Sequence, residues 1–350
     1  MTESEKNVSE KIIRTLAGTA KIRVAVIGDF CLDKYLYIDP ANDEVSVETG
    51  LTAYEVDHKA IAAGVGGTIT NNLRSLGVDT VCIGLIGDDG EGFELIKSLE
   101  KVGADATHMV KTDMLCTCTY TKPMRKNPDG SYTEMNRFDF RNYTPPTPEL
   151  EDAMINELVS VLDSVDAVIV TDQYYQRNAA AVTDGLRAKL SALAGERRDK
   201  IFFVDSRAFA AEYRNMIIKC NQFELIEYFA GGKGDPEDID TIIREGTKLQ
   251  QRTGLPAFVT LGARGMIVFS GGGHTHVDGF KVDGNIDITG AGDATNAGIV
   301  TGLSLGLSCT EAARLACAVS SITIMQIGKT GTSTVAQVSD RLSGRPVTID

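Results

Sequence analysis

The sequence predicts a three-layer α/β/α sandwich with a mainly parallel central sheet and a small β-sheet lid. Short, continuously apolar runs recur along the chain, and stretches of helical periodicity separate them. Continuous apolar runs are typical of strands buried on both faces of a parallel sheet, and their alternation with helices is the pattern of βαβ units. Two segments, at about 33–60 and 115–142, instead hold short alternating runs between turn residues. We expect these segments to form an antiparallel sheet that can close over a substrate.

The predicted elements follow one another without a long linker, an internal repeat or a low-complexity tract. Residues 1–20 are polar and are expected to form an amphipathic helical extension, with the domain proper at 21–345. The first strand is a β-branched run that leads into Gly28-Asp29, and the predicted strands are 22–27, 80–86, 167–170, 201–204 and 257–261. The predicted helices are 91–102, 148–162, 178–193, 236–253, 291–305 and 309–326.

Composition and charge limit the classes of partner. The chain has 350 residues, and 43% of them are hydrophobic, which is enough to bury a sizeable core. The 35 Lys and Arg against 48 Asp and Glu give a formal net charge of −13 without any basic run, which argues against nucleic acid as a partner. The first twenty residues lack a signal-peptide core, and no apolar run approaches the ~18 residues of a membrane span. We therefore expect a cytoplasmic protein that binds no membrane.

Cysteine and histidine spacing does not predict a metal centre. The seven cysteines contain one close pair, Cys116 and Cys118, and no second pair that would complete a zinc site. We expect reduced thiols of the kind found in cytoplasmic proteins. His274 and His276 follow three glycines and are expected to lie on an exposed hairpin strand without acidic partners at ligand spacing.

The strongest local signal is Asp287-Ile-Thr-Gly-Ala-Gly-Asp293 before a predicted helix. The small residues Gly290, Ala291 and Gly292 would leave backbone N–H groups free, with the helix dipole behind them, and so form an anion hole. A carboxylate at Asp293 could accept a proton from an attacking hydroxyl. The plainer interpretation is a glycine-rich turn with an Asp at the helix start, and the Gly-Ala-Gly tripeptide alone favours that interpretation.

The full string resembles the C-terminal signature of the ribokinase-like (PfkB-type) sugar kinases and matches it at the fixed positions. The resemblance implies a ribokinase-like fold and transfer of the γ-phosphoryl group of ATP to a sugar hydroxyl, with Mg²⁺ required. It also implies that Asp293 is the general base and that the Gly290–Gly292 tripeptide stabilises the charge of the transferred group. Five motifs occur in the family's order between residues 28 and 293, although each alone has a plain explanation as a cap or a turn.

For the sugar, the resemblance implies two groups of binding residues. One group follows the first strand and the N-terminal glycine-rich motif Ala63-Gly-Val-Gly-Gly-Thr68, and it consists of Asp29, Asp33, Gly66, Gly67 and Thr68. The other lies after a lid strand and consists of Arg137 and Asp139.

For the nucleotide, the resemblance implies the Asn221-x-x-Glu224 motif and the segment that runs from Val259 to Gly265. The implied nucleotide residues are Asn221, Glu224, Thr260, Gly262, Gly265 and Asn296. Glu224 would hold Mg²⁺ through ordered water. A site for a monovalent cation such as K⁺ is implied beside Asp287 and the 327–332 loop.

A narrower resemblance, over about residues 21–342, is to the heptose-7-phosphate kinases. It rests on Asp205-Ser-Arg207 with Tyr213, on Arg137-Phe-Asp139 and on residues 327–335. Thr68 stands where those kinases have Asn, and residues 46–53 lack their proline-rich lid sequence. No nucleotidyltransferase domain follows before the chain stops at Asp350. The sugar and its phosphorylation state therefore stay open, although the cations Arg125, Lys126 and Arg137 favour an anionic acceptor.

The rival hypothesis is a catalytically inactive relative that binds a nucleotide or a sugar as a sensor. The intact base Asp293 argues against it, because a sensor has no need of a base. The predicted lid sheet has edges through which two copies of the chain could pair, so a homodimer through the lid is expected.

Overall fold

The computed structural model describes residues 3–349, and a nine-stranded sheet forms its centre. The strands in chain order are β1 (Arg23–Gly28), β2 (Phe30–Ile38), β3 (Glu44–Val45), β4 (Thr52–Ala53), β5 (Val56–Val65), β6 (Asp79–Gly87), β7 (Val110–Thr112), β8 (Thr119–Lys126), β9 (Tyr132–Glu134), β10 (Phe138–Phe140), β11 (Ala167–Asp172), β12 (Ile201–Ser206), β13 (Ile217–Asn221), β14 (Ala257–Thr260), β15 (Met266–Ser270) and β16 (Gly273–Val277). The central order is β16-β15-β14-β13-β12-β11-β1-β6-β7. Only the pairs that involve β15 or β16 are antiparallel, so the predicted mainly parallel sheet is confirmed.

Helices cover both faces of this sheet. They are α1 (Glu3–Leu16), α2 (Gly66–Ser75), α3 (Gly90–Lys101), α4 (Pro148–Val161), α5 (Asp184–Glu196), the single turn α6 (Gln222–Glu224), α7 (Ile239–Thr253), α8 (Ala291–Ser304), α9 (Cys309–Thr323) and α10 (Val335–Leu342). Successive residues of β1 alternate between two cores, because strand side chains point to opposite faces. Val24 and Val26 pack on the side of α2, α8 and α9, whereas Ala25 and Ile27 pack on the side of α4, α5 and α7. None of the helices within residues 3–349 has the length and apolarity needed to cross a bilayer.

Three local differences from the sequence prediction have physical causes. The helix expected at 178–193 begins at Asp184, because the Thr183 side chain caps it by accepting from Leu186 N–H, and Asn178 lies in a left-handed turn. Helix α1 belongs to the packed domain, since Ile12 and Leu16 are buried in its core. Strand β13 was not predicted, because Lys219 interrupts its short apolar run.

The lid is a five-stranded sheet in the order β10-β8-β2-β5, with β9 paired to β8. Its strands reach further than the predicted segments, because β2 starts at Phe30 and β5 continues to Val65. A single residue, Asp29, separates the last residue of β1 from the first residue of β2. The lid therefore grows directly out of the central sheet, at the carboxyl end of one of its middle strands.

Candidate active site

The predicted site residues gather at the carboxyl ends of the parallel strands, where open α/β sheets bind ligands. Asp29 follows β1 and Asn221 ends β13, and Asp205, which was not among the predicted site residues, lies near the end of β12. The N-terminus of α8 reaches the same edge, because Gly292 in its first turn lies against the Lys219 side chain of β13. The lid is connected at this edge too, so it borders the site.

The loop before α8 has the conformation that an anion hole needs. Gly290 caps the helix with φ 78°, a left-handed conformation that glycine adopts without steric cost. Ala291 N–H donates to the Ile288 carbonyl at 3.1 Å. This N–H group was predicted to be free for an anion, but it is used within the turn. No hydrogen bond among the described residues begins at the N–H groups of Gly292 or Asp293. These two donors stand at the positive end of the helix dipole and can face an anion.

Asp293 lies in the first turn of α8, with its side chain in an environment suited to a general base. The pKa of Asp293 is raised to about 7, mainly because the carboxylate is removed from bulk water and secondly because the Asp205 carboxylate is near. Lys219 and Arg207 act in the opposite direction and lower this pKa. No hydrogen bond of its carboxylate is formed with the described residues. A carboxylate with a near-neutral pKa and free acceptor sites can take a proton at physiological pH.

Behind the anion loop lies a buried charged cluster that sequence reasoning missed. Lys219 Nζ is 3.0 Å from Asp205 Oδ2, and both side chains are 6% exposed. Asn296 Nδ2 donates to the same oxygen at 2.6 Å. A β-carbon added to Gly292 would lie 3.3 Å from Lys219 Nζ, so the ammonium group sits directly under the anion loop. Burial lowers the pKa of Lys219, but Asp205 and Glu224 outweigh that effect and raise it, so the lysine stays charged.

This cluster changes the interpretation of one predicted residue. Asn296 was expected at the nucleotide, but it is fully buried and its amide is bonded to Asp205. Asn296 thus supports the cluster in this structure, and its contact with a nucleotide stays a prediction. The signal that could have revealed the cluster is a lysine in the middle of the apolar strand Ile217–Asn221, because a buried lysine requires a partner.

Asn221 and Glu224 hold each other in a capping box at the start of α6. Asn221 N–H donates to Glu224 Oε2 at 2.8 Å, and Glu224 N–H donates to Asn221 Oδ1 at 2.8 Å. Burial raises the pKa of Glu224, with Lys219 acting against it. One carboxylate oxygen remains for a cation. Mg²⁺ keeps several of its waters in proteins, so this donor set fits a hydrated Mg²⁺ rather than a cage of direct ligands.

The two acidic residues after β1 occupy different positions. Asp29 is 2% exposed, and its carboxylate accepts from Gln173 N–H at 2.8 Å and Ala181 N–H at 3.1 Å. Burial, with the Asp172 carboxylate as second cause, raises the pKa of Asp29. Its side chain thus holds the 173–181 loop, and a contact between Asp29 and sugar hydroxyls stays a prediction. Asp33 instead lies at the lid junction, where its Oδ1 is 2.8 Å from Lys122 Nζ. Its negative charge is close enough to Asp293 to contribute to the raised pKa of that residue.

The glycines of the N-terminal motif are buried by packing. A β-carbon on Gly66 would lie 2.8 Å from the Phe30 ring, and one on Gly67 would lie 2.4 Å from Ala63 Cβ. The small size of both residues is therefore explained by close contact between α2 and the strands beneath it. Thr68 is 2% exposed, and its methyl group lies 3.2 Å from the position of a β-carbon on Gly290. The motif brings α2 against the anion loop, and a sugar contact of these residues stays a prediction.

In the lid, Arg137 and Asp139 form an ion pair, and their contact with the sugar stays a prediction. Arg137 Nε donates to Asp139 Oδ1 at 2.6 Å, and Arg141 approaches the other oxygen at 3.2 Å. Both guanidinium groups stack on the Tyr120 ring, with centroid distances of 4.8 and 5.8 Å. Two cations share one carboxylate, so the group carries a net positive charge.

The other lid-tip cations are engaged within the lid. Arg125 is paired with Asp43 at 2.6 Å, and Lys126 is paired with Asp39 at 2.7 Å. Either side chain would have to break its ion pair before it could bind an anion. The sequence suggested that both cations are free to bind an anionic acceptor, but in this structure both are paired.

The remaining predicted positions form turns. Thr260 ends β14, Gly262 is exposed at φ 60°, and Gly265 is buried where a β-carbon would lie 2.0 Å from the Val277 carbonyl oxygen. Asp287 accepts from Thr289 N–H at 3.0 Å and Gly328 N–H at 2.9 Å. Its carboxylate fixes the 287–289 turn to the 327–328 loop, and the monovalent-cation site stays a prediction.

Comparison with known proteins matches nearly the whole chain to one family. The sequence model described as "pfkB family carbohydrate kinase" matches residues 21–335. The bifunctional protein HldE of Trichlorobacter lovleyi is 26% identical over 341 residues, which cover 95% of this chain and 65% of that protein. The D-beta-D-heptose 7-phosphate kinase of Bordetella bronchiseptica is 26% identical over 319 residues, which cover 90% of this chain and 94% of that protein. The chain thus spans slightly under two thirds of the bifunctional relative.

Solved structures show the same fold at lower identity. The ribokinase of Arabidopsis thaliana, complexed with ribose and ATP, superposes with a TM-score of 0.66 at 16% identity and covers 92% of this chain and 98% of that chain. Phosphofructokinase-2 of Escherichia coli, in complex with substrates and products, gives a TM-score of 0.64 at 16% identity with the same two coverages, 92% and 98%. At this identity the likeness establishes the ribokinase-like fold.

Proposed function

The chain belongs to the pfkB family of carbohydrate kinases, and we propose that it transfers the γ-phosphoryl group of ATP to a hydroxyl of an anionic sugar. The observation that carries the proposal is the juxtaposition of a near-neutral base, Asp293, with two free N–H donors and the buried ammonium group of Lys219. Phosphoryl transfer needs positioning and charge stabilisation more than covalent chemistry from the protein, and this arrangement supplies both.

In the proposed step, Asp293 takes the proton of the sugar hydroxyl as its oxygen attacks the γ-phosphorus. The bond between the γ-phosphorus and the bridging oxygen breaks, and that oxygen leaves with ADP. The N–H groups of Gly292 and Asp293 and the Lys219 ammonium stabilise the negative charge that the transferred group carries. Asp205 and Asn296 keep Lys219 in place, since both are bonded within the buried cluster.

Mg²⁺, when bound with ATP, would neutralise phosphate charge, and Glu224 would hold it through water. The capping box with Asn221 keeps the Glu224 carboxylate at one orientation. We also propose, from the family resemblance, that K⁺ binds as a monovalent cation beside Asp287, whose carboxylate joins the 287–289 turn to the 327–328 loop.

The preference for an anionic acceptor rests on two features. The lid carries a net positive group, Arg137 and Arg141 around Asp139, on the face of Tyr120. The Bordetella relative is named a kinase of a sugar 7-phosphate. Asp33, half-buried at the lid junction, is the acceptor-side carboxylate that we propose binds a sugar hydroxyl.

The test is an assay of ADP release with a panel of free and phosphorylated hexoses and heptoses. We expect acceptor-dependent ADP formation that requires Mg²⁺ and is greater for phosphorylated sugars. Asp293→Asn serves as the inactive control and Asp283→Asn as a matched surface control, since Asp283 is highly exposed. Nucleotide binding without acceptor-dependent ADP formation would favour the catalytically inactive sensor.

We also propose that two copies pair through the lid. Exposed apolar side chains lie on the lid strand β10 and in the β3–β4 hairpin between β2 and β5, and a partner copy would cover them: Val47, Leu51, Phe138 and Phe140 are 102%, 69%, 63% and 52% exposed. Light scattering should give twice the chain mass of 37.6 kDa, and Phe138→Glu should return it to that of one chain. A single-chain mass for the unmodified protein would reject this pairing.

A further inference from the structure

A second buried polar cluster, which the proposed phosphoryl transfer does not use, lies at the ends of β11 and β12. Asp172 is the last residue of β11 and is 1% exposed. Its Oδ2 atom accepts from Arg187 Nε at 2.9 Å, from Ser206 Oγ at 2.8 Å and from Tyr213 OH at 3.0 Å. All three donor residues are buried as well. A buried carboxylate with several donors makes the backbone around it rigid.

The turn that this cluster fixes begins with Arg207. Ser206 is the last residue of β12, and its hydroxyl also accepts from Phe209 N–H at 3.0 Å. Arg207 N–H donates to the Asp172 carbonyl at 2.9 Å. The backbone of Arg207 is therefore held in one position, at the carboxyl edge of the sheet where the other site residues gather.

The Arg207 side chain has no anionic partner of its own. It is partly buried, and its guanidinium lies over the Tyr175 ring, 5.2 Å from the centroid. It lines a cleft together with Glu224 and Tyr228. Among residues 3–349 this guanidinium forms neither a hydrogen bond nor an ion pair, whereas the lysines and arginines described above at the anion loop and in the lid are each paired with a carboxylate. A planar guanidinium in this state can bind an anion through two parallel N–H groups.

The charge of Arg207 acts on both carboxylates of the proposed mechanism. Burial raises the pKa of Asp293 and of Glu224, and in both cases the positive charge of Arg207 opposes that rise. The guanidinium therefore lies near both carboxylates, although it is bonded to neither. In phosphoryl transfer the γ-phosphoryl group lies between the base, which contacts the attacking hydroxyl, and the Mg²⁺ that neutralises the phosphate oxygens. A cation near both carboxylates is thus placed to reach that group.

We propose that Arg207 is a further catalytic residue, whose guanidinium binds oxygens of the transferred γ-phosphoryl group and stabilises their charge during transfer. This inference rests on the proposed kinase function and refines it. No bond is made or broken at Arg207, which supplies charge and two N–H donors to the step described above. The Asp172 cluster keeps the backbone of Arg207 in place, so the side chain can reorient from the Tyr175 ring to the phosphoryl group without movement of the main chain.

The kinetic test compares Arg207→Ala and Arg207→Lys with the unmodified chain. Arg198→Ala is the matched control, because Arg198 is exposed just after α5 and donates to the Gly195 carbonyl. We expect kcat to fall by about 10²-fold in Arg207→Ala, less in Arg207→Lys, and not in the control. The rise of kcat/KM with pH should move to higher pH in Arg207→Ala, because a cation that lowers the pKa of Asp293 has been removed. A kcat within a few-fold of the original, or an effect confined to the KM of phosphorylated acceptors, would overturn the inference.

A binding test separates this inference from the kinase proposal. Calorimetry without acceptor measures the affinity for Mg·AMP-PNP, which carries a γ-phosphoryl group, and for Mg·ADP, which does not. We expect Arg207→Ala to weaken AMP-PNP relative to ADP by about tenfold or more, as for loss of one charge-assisted contact. Absence of acceptor-dependent ADP formation in the unmodified chain would reject the kinase proposal alone. An unchanged affinity ratio in Arg207→Ala, or no binding of either nucleotide by the unmodified chain, would reject the role of Arg207.

Discussion

The anion-loop end of the site and the lid end hold their charges in opposite ways. At the anion loop, Lys219 and Asp205 are each 6% exposed and pair at 3.0 Å beneath Gly292. In the lid, the Arg137 side chain is 41% exposed and the Asp139 side chain 24%. Charges interact strongly where water is excluded and weakly where water and salt screen them. Substitutions in the anion-loop region should therefore change the rate of phosphoryl transfer by large factors. Substitutions in the lid should change the preference between acceptors by smaller factors.

The largest effect should come from the base itself. Asp293→Asn is nearly isosteric but cannot accept the proton, and loss of a positioned general base costs about 10²–10⁴-fold in rate. Nucleotide affinity should stay close to that of the unmodified chain. We would measure kcat by ADP release and nucleotide binding by calorimetry, with Asp283→Asn as the surface control. A kcat within a few-fold of the original would place the base elsewhere.

The second effect tests the buried cluster. Lys219→Met should lower kcat by about 10²-fold, as expected for loss of a preorganised charge at a developing anion. It should also destabilise the protein by about 3–5 kcal/mol, because Asp205 is left as an unpaired buried charge. Urea denaturation measures the stability and ADP release the rate.

Adding Asp205→Asn to Lys219→Met separates the two roles. The double variant should regain stability, because Asp205 is no longer left as an unpaired buried charge, but it should not regain rate. Recovery of the rate together with the stability would mean that Lys219 is structural only.

The third effect is the pH dependence set by Asp293. Because its pKa is raised from 3.8 to about 7 in the folded protein, the base is protonated below that pH. We expect kcat/KM to rise about tenfold per pH unit below 7 and to level off above it. A raised carboxyl pKa also means that folding favours the protonated form, so this stabilisation is lost as the pH rises through 7.

Stability measurements give an independent check of this pKa. The unfolding free energy of Asp293→Asn, relative to the unmodified chain, should increase between pH 4 and pH 8. A flat difference over this range, with a flat rate profile, would mean that Asp293 has an ordinary pKa.

The smallest effect should come from the lid. Arg137→Ala is expected to reduce the preference for phosphorylated over free sugars by roughly tenfold, since one charge-assisted bond is worth about 1.5–3 kcal/mol before screening. Arg125→Ala is the matched control, because that guanidinium is engaged with Asp43. The measurement is kcat/KM for paired free and phosphorylated sugars. An equal loss in both variants, or none in Arg137→Ala, would remove Arg137 from acceptor recognition.

The same contrast explains what sequence reasoning could reach. The anion loop is contiguous, so Gly290 to Asp293 could be predicted from one string of residues that forms a turn and a helix start. The cluster behind it joins Asp205 to Asn296, 91 positions later in the chain. A contact between residues so far apart cannot be predicted from the local sequence pattern. The position of Asp29 after the first strand could be predicted, but the two hydrogen bonds that its carboxylate accepts could not, because their donors lie 144 and 152 positions later in the chain.

The direct passage from β1 into β2 has a mechanical consequence. In the connection from β1 to β2 only Asp29 lies between the central sheet and the lid, and Gly28 before it has φ 129° at a position where a β-carbon would clash with the Thr171 carbonyl oxygen. A tilt of the lid would therefore bend the chain at Asp29, which two hydrogen bonds also tie to the 173–181 loop, and at Val65–Gly66, where β5 runs directly into α2. Because Asp29 joins the lid strand to the 173–181 loop through these two hydrogen bonds, we expect closure of the lid over an acceptor to shift that loop as well.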